Sequence, residues 1–417
     1  MSGYSKTVIR AIVLGLFGGG FGLVYLWLVH LGTDALWGDW ETMGWFSGSV
    51  RSVVIPLVAG LLVGIVYKFF DLPTRFHGFI QELEQGHVDP KSAPGAIVIA
   101  LFSLVGGASV GPEAPLGTAG GAAGTWLARR SGEGEQGVRQ SSFIGISGVF
   151  GGLLSTPIGG PLLAFELEHD QTSSYYLRHL VPGVMSGAVA FGVMWPVIGA
   201  PFSGLLEITH GAFESWMLLA AAGLGVFSAL AALVVGKVML SITNAMRTLD
   251  SSPVVRGLVG GAVVALGAFV LPLTLFSGQE AAPFILERVD EIGLAMLVGL
   301  AVVKTITLGA SFGGGFYGGP IFPMFFIATA LGLAVHLVFP ALPLGIAVGA
   351  TMAGLGAAVA LVPISMAVLA TILTQSGLVA SAAIVVSAAV AYAIRHALMP
   401  PGGASDAAQT AAPTHPV

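Results

Sequence analysis

Glu113 is the only charged residue between Lys91 and Arg129, in the run Gly111-Pro112-Glu113-Ala114-Pro115 between two apolar stretches. Proline is tolerated in the first turn of a helix and disruptive further in, so Pro112 and Pro115 predict a chain break followed by a helix start. A carboxylate there meets the positive end of the helix dipole and N–H groups that have no intrahelical acceptor. The same groups bind a small anion equally well. Glu113 and an anion would therefore compete for one place, with Gly111 and Ala114 as neighbouring anion contacts. The plainer reading is a loop carboxylate at the membrane surface, or a simple cap. An ionisable residue at membrane depth favours the functional reading.

A second break, Gly318-Gly319-Pro320-Ile321-Phe322-Pro323, precedes another long apolar run and carries no carboxylate. There the backbone N–H groups of Ile321 and Phe322 would face an anion; a Gly-Pro packing turn is the alternative. Lys304, alone in an apolar segment, either favours anions through its field or snorkels or pairs with a carboxylate. Glu166-Leu167-Glu168-His169-Asp170 holds metal-ligand residue types but reads as a helix end at the cytoplasmic face, so no metal site is expected. Arg129-Arg130 reads as a helix-end anchor. The absence of cysteine excludes disulfides, thiolate metal sites and cysteine nucleophiles. No His-Glu-x-x-His is present, so neither an enzyme nor a cofactor is expected, and without a basic stripe no nucleic-acid partner is expected.

The elements that carry these residues belong in lipid. Of 417 residues, 55% are hydrophobic and 9% charged, against roughly 25% charged in a soluble domain. The 61 glycines suit helices that approach closely in a membrane. Charge-free stretches cover 52–67, 92–112, 114–128, 140–165, 179–206, 215–236, 257–279 and 305–394. A span needs about 20 apolar residues, so the last stretch must fold back several times. Its Gly and Pro interruptions predict broken and re-entrant helices, which bilayers tolerate only inside protein or around a wet cavity. The run ending at Leu31 reads as the first membrane helix. Lys6 and Arg10 before it, and Asp34, Asp39 and Glu41 after it, place the N-terminus in the cytoplasm. The tail 400–417 reads as disordered.

Two motifs recur in the same order. Gly107-Ala108-Ser109-Val110-Gly111 returns as Gly309-Ala310-Ser311-Phe312-Gly313, and Gly148 with Pro157-Ile158 returns as Gly354 with Pro363-Ile364. They predict an all-α membrane protein of two halves, 1–205 and 206–399, with substrate at the repeat interface near the midplane.

Over about residues 10–396 the chain resembles the CLC family of chloride channels and chloride/proton antiporters. Gly111-x-Glu113-x-Pro115 is similar to the family's glycine-x-glutamate-x-proline motif. Leu271-Pro272-Leu273-Thr274-Leu275-Phe276-Ser277-Gly278 resembles its connector before the second half. Lys304-Thr305-Ile306-Thr307-Leu308-Gly309, leading to Gly318-Gly319 and Pro323, is similar to its approach to a second anion-binding helix. Ser155-Thr156-Pro157-Ile158-Gly159-Gly160, ending in Glu166, resembles its helix-pair motif. The resemblance implies inverted halves and a homodimer with one pore per subunit, its interface drawn from Pro157–Pro196 and Pro363–Arg395. It also implies a multi-pass protein of the cell (inner) membrane moving chloride or similar small anions, with Glu113 gating the outer anion site and carrying protons. A passive channel of the same fold is the second reading.

Several positions depart from the family. Pro112 and Ala114 replace the usual basic residue and glycine around the glutamate, and Phe322 stands beside Pro323 rather than two residues before it. Pro112 and Pro320 each remove an N–H donor. The family's serine motif is replaced by Phe69-Phe70-Asp71-Leu72-Pro73. Its internal proton-transfer glutamate would align near Leu167, leaving the flanking Glu166 and Glu168 as candidates for an internal proton pathway. Tyr392, the only late tyrosine, is the candidate for its anion-coordinating tyrosine.

Overall fold

Hydrocarbon offers a backbone no hydrogen-bond partner, so each apolar run must satisfy its own peptide groups, and a helix does so within one segment. The computed structural model describes residues 3–38, 49–70, 72, 87–167, 176–206, 208 and 213–398. Asp39, Glu41, Asp71, Pro73, Glu168, His169, Asp170 and the tail 400–417 lie outside the described residues. Among the described residues, fifteen α-helices follow in order: α1 Gly3–Trp37, α2 Val50–Phe69, α3 Ala93–Val105, α4 Glu113–Arg130, α5 Glu135–Leu153, α6 Gly159–Leu167, α7 Val181–Ile198, α8 Trp216–Ala245, α9 Pro253–Val270, α10 Ala281–Glu287, α11 Val289–Gly314, α12 Ile321–Val338, α13 Leu344–Ala360, α14 Pro363–Leu373 and α15 Leu378–Leu398. Among the described residues, eight helices are long and apolar enough to cross a bilayer, and α3, α13 and α14 are apolar but shorter. The charge-free block from Thr305 onward is thus cut into helices, as its Gly and Pro pattern predicts.

Apart from the short α10, the described helices of the two halves follow the same succession, and the halves meet antiparallel. Helices α2 and α9 occupy equivalent places and pack antiparallel with almost no side chain between them. A Cβ on Gly60 would lie 2.1 Å from the Gly257 carbonyl oxygen, and one on Gly257 would lie 2.1 Å from that of Gly60. Gly64 faces Val254, and Gly261 faces Pro56, in the same register. This reciprocity is what inverted halves require. Helix pairs within each half also approach through small residues, as where Gly120 and Gly145 of α4 and α5 abut each other's backbone.

Of the two repeated motifs, the second falls on matching structure. Ser155 and Leu361, at φ 56° and 59°, each turn the chain ahead of Pro157 and Pro363. The first does not: Gly107 is in a loop, whereas Gly309–Gly313 lies inside α11. The counterpart of Gly107 (φ 79°) is Gly315 (φ 86°), a few residues beyond the repeated letters. A Gly-Ala-Ser string packs closely in helix or loop alike, so the letters alone do not fix where the helix must end. Both strings also have the Gly-x-Ser-x-Gly spacing of a hydrolase elbow. That elbow needs a strand-to-helix turn, and no strand is present among the described residues.

Adding a methyl group to the α2–α9 contact should be costly. Gly60→Ala or Gly257→Ala should destabilise the fold by about 1–3 kcal/mol through overpacking. In mild detergent this reads as a lowered thermal midpoint. Gly20→Ala, where a Cβ meets nothing within 4 Å, is the control and should leave the midpoint unchanged.

Candidate functional site

Two chain breaks meet at the centre of the protein. The first, between α3 and α4, ends in Pro112; the second, between α11 and α12, ends in Pro320. Gly111 and Gly319 pair as an isolated antiparallel bridge, with N···O distances of 2.7 Å from Gly111 to Gly319 and 2.8 Å in return. Around it, the Ser109 N–H donates to Ser311 Oγ (3.0 Å) and the Tyr317 N–H to Ser103 Oγ (3.0 Å). The hydroxyls of Thr118 and Tyr317 lie 2.7 Å apart. The N-termini of α4 and α12 are thereby held facing one another.

Proline sets how many donors those termini offer. Pro112 and Pro320 are the N-caps, and Pro115 and Pro323 hold the third helical positions. The next N–H groups are already used, Leu116 donating to the Pro112 carbonyl and Met324 to that of Pro320. The N–H groups of Glu113, Ala114, Ile321 and Phe322 are left without intrahelical acceptors. The Gly111 N–H is committed to Gly319, so this glycine positions the site rather than donating to an ion.

Glu113 fills the space between the termini. It is 2% exposed, and its Oε1 accepts from the Phe322 N–H at 3.0 Å. The N–H groups of Ile321 and of Glu113 itself are also directed at the carboxylate. Its Oε2 is buried with no hydrogen-bond partner. A Cβ on Gly319 would stand 2.4 Å from that oxygen, so only glycine admits the carboxylate there. The constellation is a negative group lodged in a cluster of backbone donors, the arrangement that would otherwise hold a small anion.

Glu113 also has a definite depth. Arg10 near the start of α1 forms a two-pronged ion pair with Glu133, just past the end of α4. The 18 residues of α4 put about 27 Å of helix between Glu113 and that end. Glu113 thus lies toward the membrane side opposite the N-terminus of α1. On that side Trp37, at the other end of α1, donates through Nε1 to the Val105 carbonyl (2.8 Å).

Other residues singled out in the sequence fall elsewhere. Glu166 receives the N–H groups of Ile364 (2.9 Å) and Ser365 (2.6 Å) and the Ser365 hydroxyl, capping α14 across the two halves. Tyr392 is not part of the constellation; half-buried late in α15, it stacks on His396 (5.8 Å between centroids). Lys304 neither snorkels nor meets a carboxylate. It is fully buried and donates to the carbonyls of Thr274, Leu275 and Phe276 at 3.0, 3.1 and 2.6 Å.

Sequence reasoning missed Phe202, Tyr317 and Thr118. Phe202, in the segment joining the halves, packs its ring 4.6 Å from that of Phe322. It also lines, with Pro112 and Leu275–Ala281, an apolar cavity of about 640 Å³ beside the site. An apolar residue in a linker gives no signal of such a role. Tyr317, a polar aromatic beside Gly318-Gly319 in a break, was a signal left unread.

A multi-pass helical bundle with helix N-termini converging at a buried carboxylate defines an ion-translocating membrane protein. The chain belongs to the voltage gated chloride channel family, whose model matches residues 60–396. It is accordingly a CLC-type anion-transport protein and not an enzyme. It is 29% identical over 309 residues to the "Putative ion-transport protein YfeO" of Escherichia coli (strain SMS-3-5 / SECEC), covering 73% of this chain and 72% of that one. The protein of the same name from Escherichia fergusonii matches to the same extent. Among solved structures, a slow cyanobacterial Cl−/H+ antiporter superposes with a TM-score of 0.80 at 19% identity, over 97% of this chain and 98% of that one. A CLC-type fluoride/proton antiporter gives 0.76 at 16% identity, over 94% and 95%. These likenesses establish the CLC fold, with its two inverted halves and broken helices.

The proline caps generate a test. Pro112→Ala or Pro320→Ala restores one N–H at a helix start, and a hydrogen bond to a charged group contributes about 1.5–3 kcal/mol. Either variant should tighten chloride binding at least about tenfold by calorimetry. Unchanged affinity in both would mean that these positions do not face the ion.

Proposed function

We propose that this protein moves chloride or a similar small anion across the membrane past Glu113, which gates the pathway and couples it to protons. The observation that carries this reading is the Glu113 carboxylate, buried and bonded to the Phe322 N–H. As a carboxylate it occupies the donors that an anion needs and blocks the path. Protonated, it has no charge to place there, leaves, and an anion enters. Alternation of the two states exchanges anion for proton. Ala114, Ile321 and Phe322 supply the backbone donors.

The same reading places the protein in the cell (inner) membrane with the N-terminus of α1 in the cytoplasm, so that Glu113 serves the outer side. It takes residues 1–205 and 206–399 as the two repeats. It also takes the protein as a homodimer, supported by exposed Ile158 and Ile364 at equivalent places in the two halves. A passive channel is the second reading. The capping of α14 by both Glu166 oxygens favours it, since a carboxylate so engaged is not free to relay protons from the inner side. Reversal potentials under a pH gradient separate the two, because only an exchanger's potential follows pH.

Anion flux in liposomes should rise as pH falls, because protonation removes the blocking charge. Glu113→Gln mimics the neutral form. It should retain anion flux, lose proton movement and flatten the pH dependence. A Glu113→Gln protein that still drives protons uphill on a chloride gradient would overturn the role given to this residue.

A further inference from the structure

The most deeply buried cation among the described residues makes no direct contact with Glu113. Lys304, in α11, is 0% exposed, and among the described residues no carboxylate lies within ion-pair distance of it. Its Nζ instead stands over three successive carbonyls of the connector, those of Thr274, Leu275 and Phe276. Three acceptors converging on one nitrogen match the three N–H donors of an ammonium. A neutral amine has only two and would turn its lone pair on the third carbonyl. The charge is thus held by dipoles and not cancelled by a side chain.

This cation is tied to both chain breaks. On one side, the connector that it grips donates from the Phe276 N–H to the Gly107 carbonyl at 3.1 Å, which anchors the first break. On the other, the ammonium lies 5.3 Å from the ring centroid of Phe326, and Gly278 of the connector packs against the same ring. Phe326 sits four residues beyond Phe322, about 6 Å along the axis of α12. The ammonium is thus on the order of 10 Å from the donors that hold Glu113, and it is fully buried.

We infer that Lys304 is the fixed positive charge of the anion pathway, a residue that sets anion affinity by its field while its three hydrogen bonds lock the connector against both breaks. The inference rests on the anion-transport reading given above. A unit charge about 10 Å away in an effective dielectric of about 20 alters the occupancy of an ion site by roughly tenfold. Screening by salt is weak at such a buried position. The role needs charge at this point and not merely a long side chain, and this separates it from packing.

The test is chloride efflux from proteoliposomes with the half-saturating chloride concentration as the readout, alongside thermal stability in detergent. Lys304→Met keeps the length and loses the charge, and its half-saturating concentration should rise about tenfold. The rise should be largest in the Glu113→Gln background, because in the wild type the same field also holds the competing carboxylate. Lys304→Arg keeps the charge but cannot reproduce the three bonds; it should stay within about twofold of the wild type in half-saturation while losing stability. If Lys304→Met folds and its half-saturation is unchanged, the inference is wrong. Should Lys304→Met give no folded protein, Lys304→Arg decides, since a tenfold loss of affinity there would show that geometry and not charge is what matters. A wild-type protein that moves no anion would sink the transport reading itself and this inference with it, an outcome distinct from transport that ignores Lys304.

Discussion

Two hydrogen bonds between Gly111 and Gly319 organise the centre of this protein. Each chain break would otherwise leave unsatisfied peptide groups at membrane depth, which lipid makes expensive. By bonding to each other, the breaks settle that cost and bring two helix N-termini face to face. The geometry that the proposed anion site requires follows from this pairing. The donors of α4 and α12 converge, and a carboxylate from one half reaches the helix start of the other. The pair also lies where equivalent residues of the two halves meet antiparallel, so one contact serves both symmetry and chemistry.

The same division of labour recurs elsewhere. Glu113 bonds to the start of α12, and Glu166 bonds to the start of α14; in each case a first-half carboxylate meets a second-half helix. Their settings differ. Glu166 engages both oxygens and is partly exposed, which is what a stable cap requires. Glu113 leaves one oxygen without a partner in a buried place. An unsatisfied buried acceptor costs more than an ordinary hydrogen bond returns, so its position is poised rather than deeply stable. The role proposed for Glu113, alternately occupying and vacating a site, would need such a balance.

Proline acts here as a means of limiting donors. Pro112 and Pro115 bracket the start of α4, and Pro320 and Pro323 that of α12, leaving two N–H groups at each without an intrahelical acceptor. The identical placement in both halves shows that the restriction belongs to the repeat. Around the breaks, the bonds of Ser103, Thr118, Ser311 and Tyr317 tie the loops to one another, as the geometry of the proposed site would require.

The sequence by itself determined the membrane setting, the helical class, the two breaks and the singular place of Glu113. Each is a local property: charge content, apolar run length, and the inability of proline to continue a helix. The second repeated motif was legible for the same reason, since Pro157 and Pro363 mark helix starts wherever they fall. The tertiary structure alone decided that Gly309–Gly313 is helix while its twin is loop. It alone gave Gly111 to Gly319, Glu166 to the start of α14 and Phe202 to the ring of Phe322. Lys304 shows the limit most clearly. Read along the chain, a lone lysine in an apolar helix calls for a carboxylate or the membrane surface. Its three carbonyl partners lie about 30 positions away in a turn whose oxygens converge only after folding, and backbone acceptors carry no letter in a sequence.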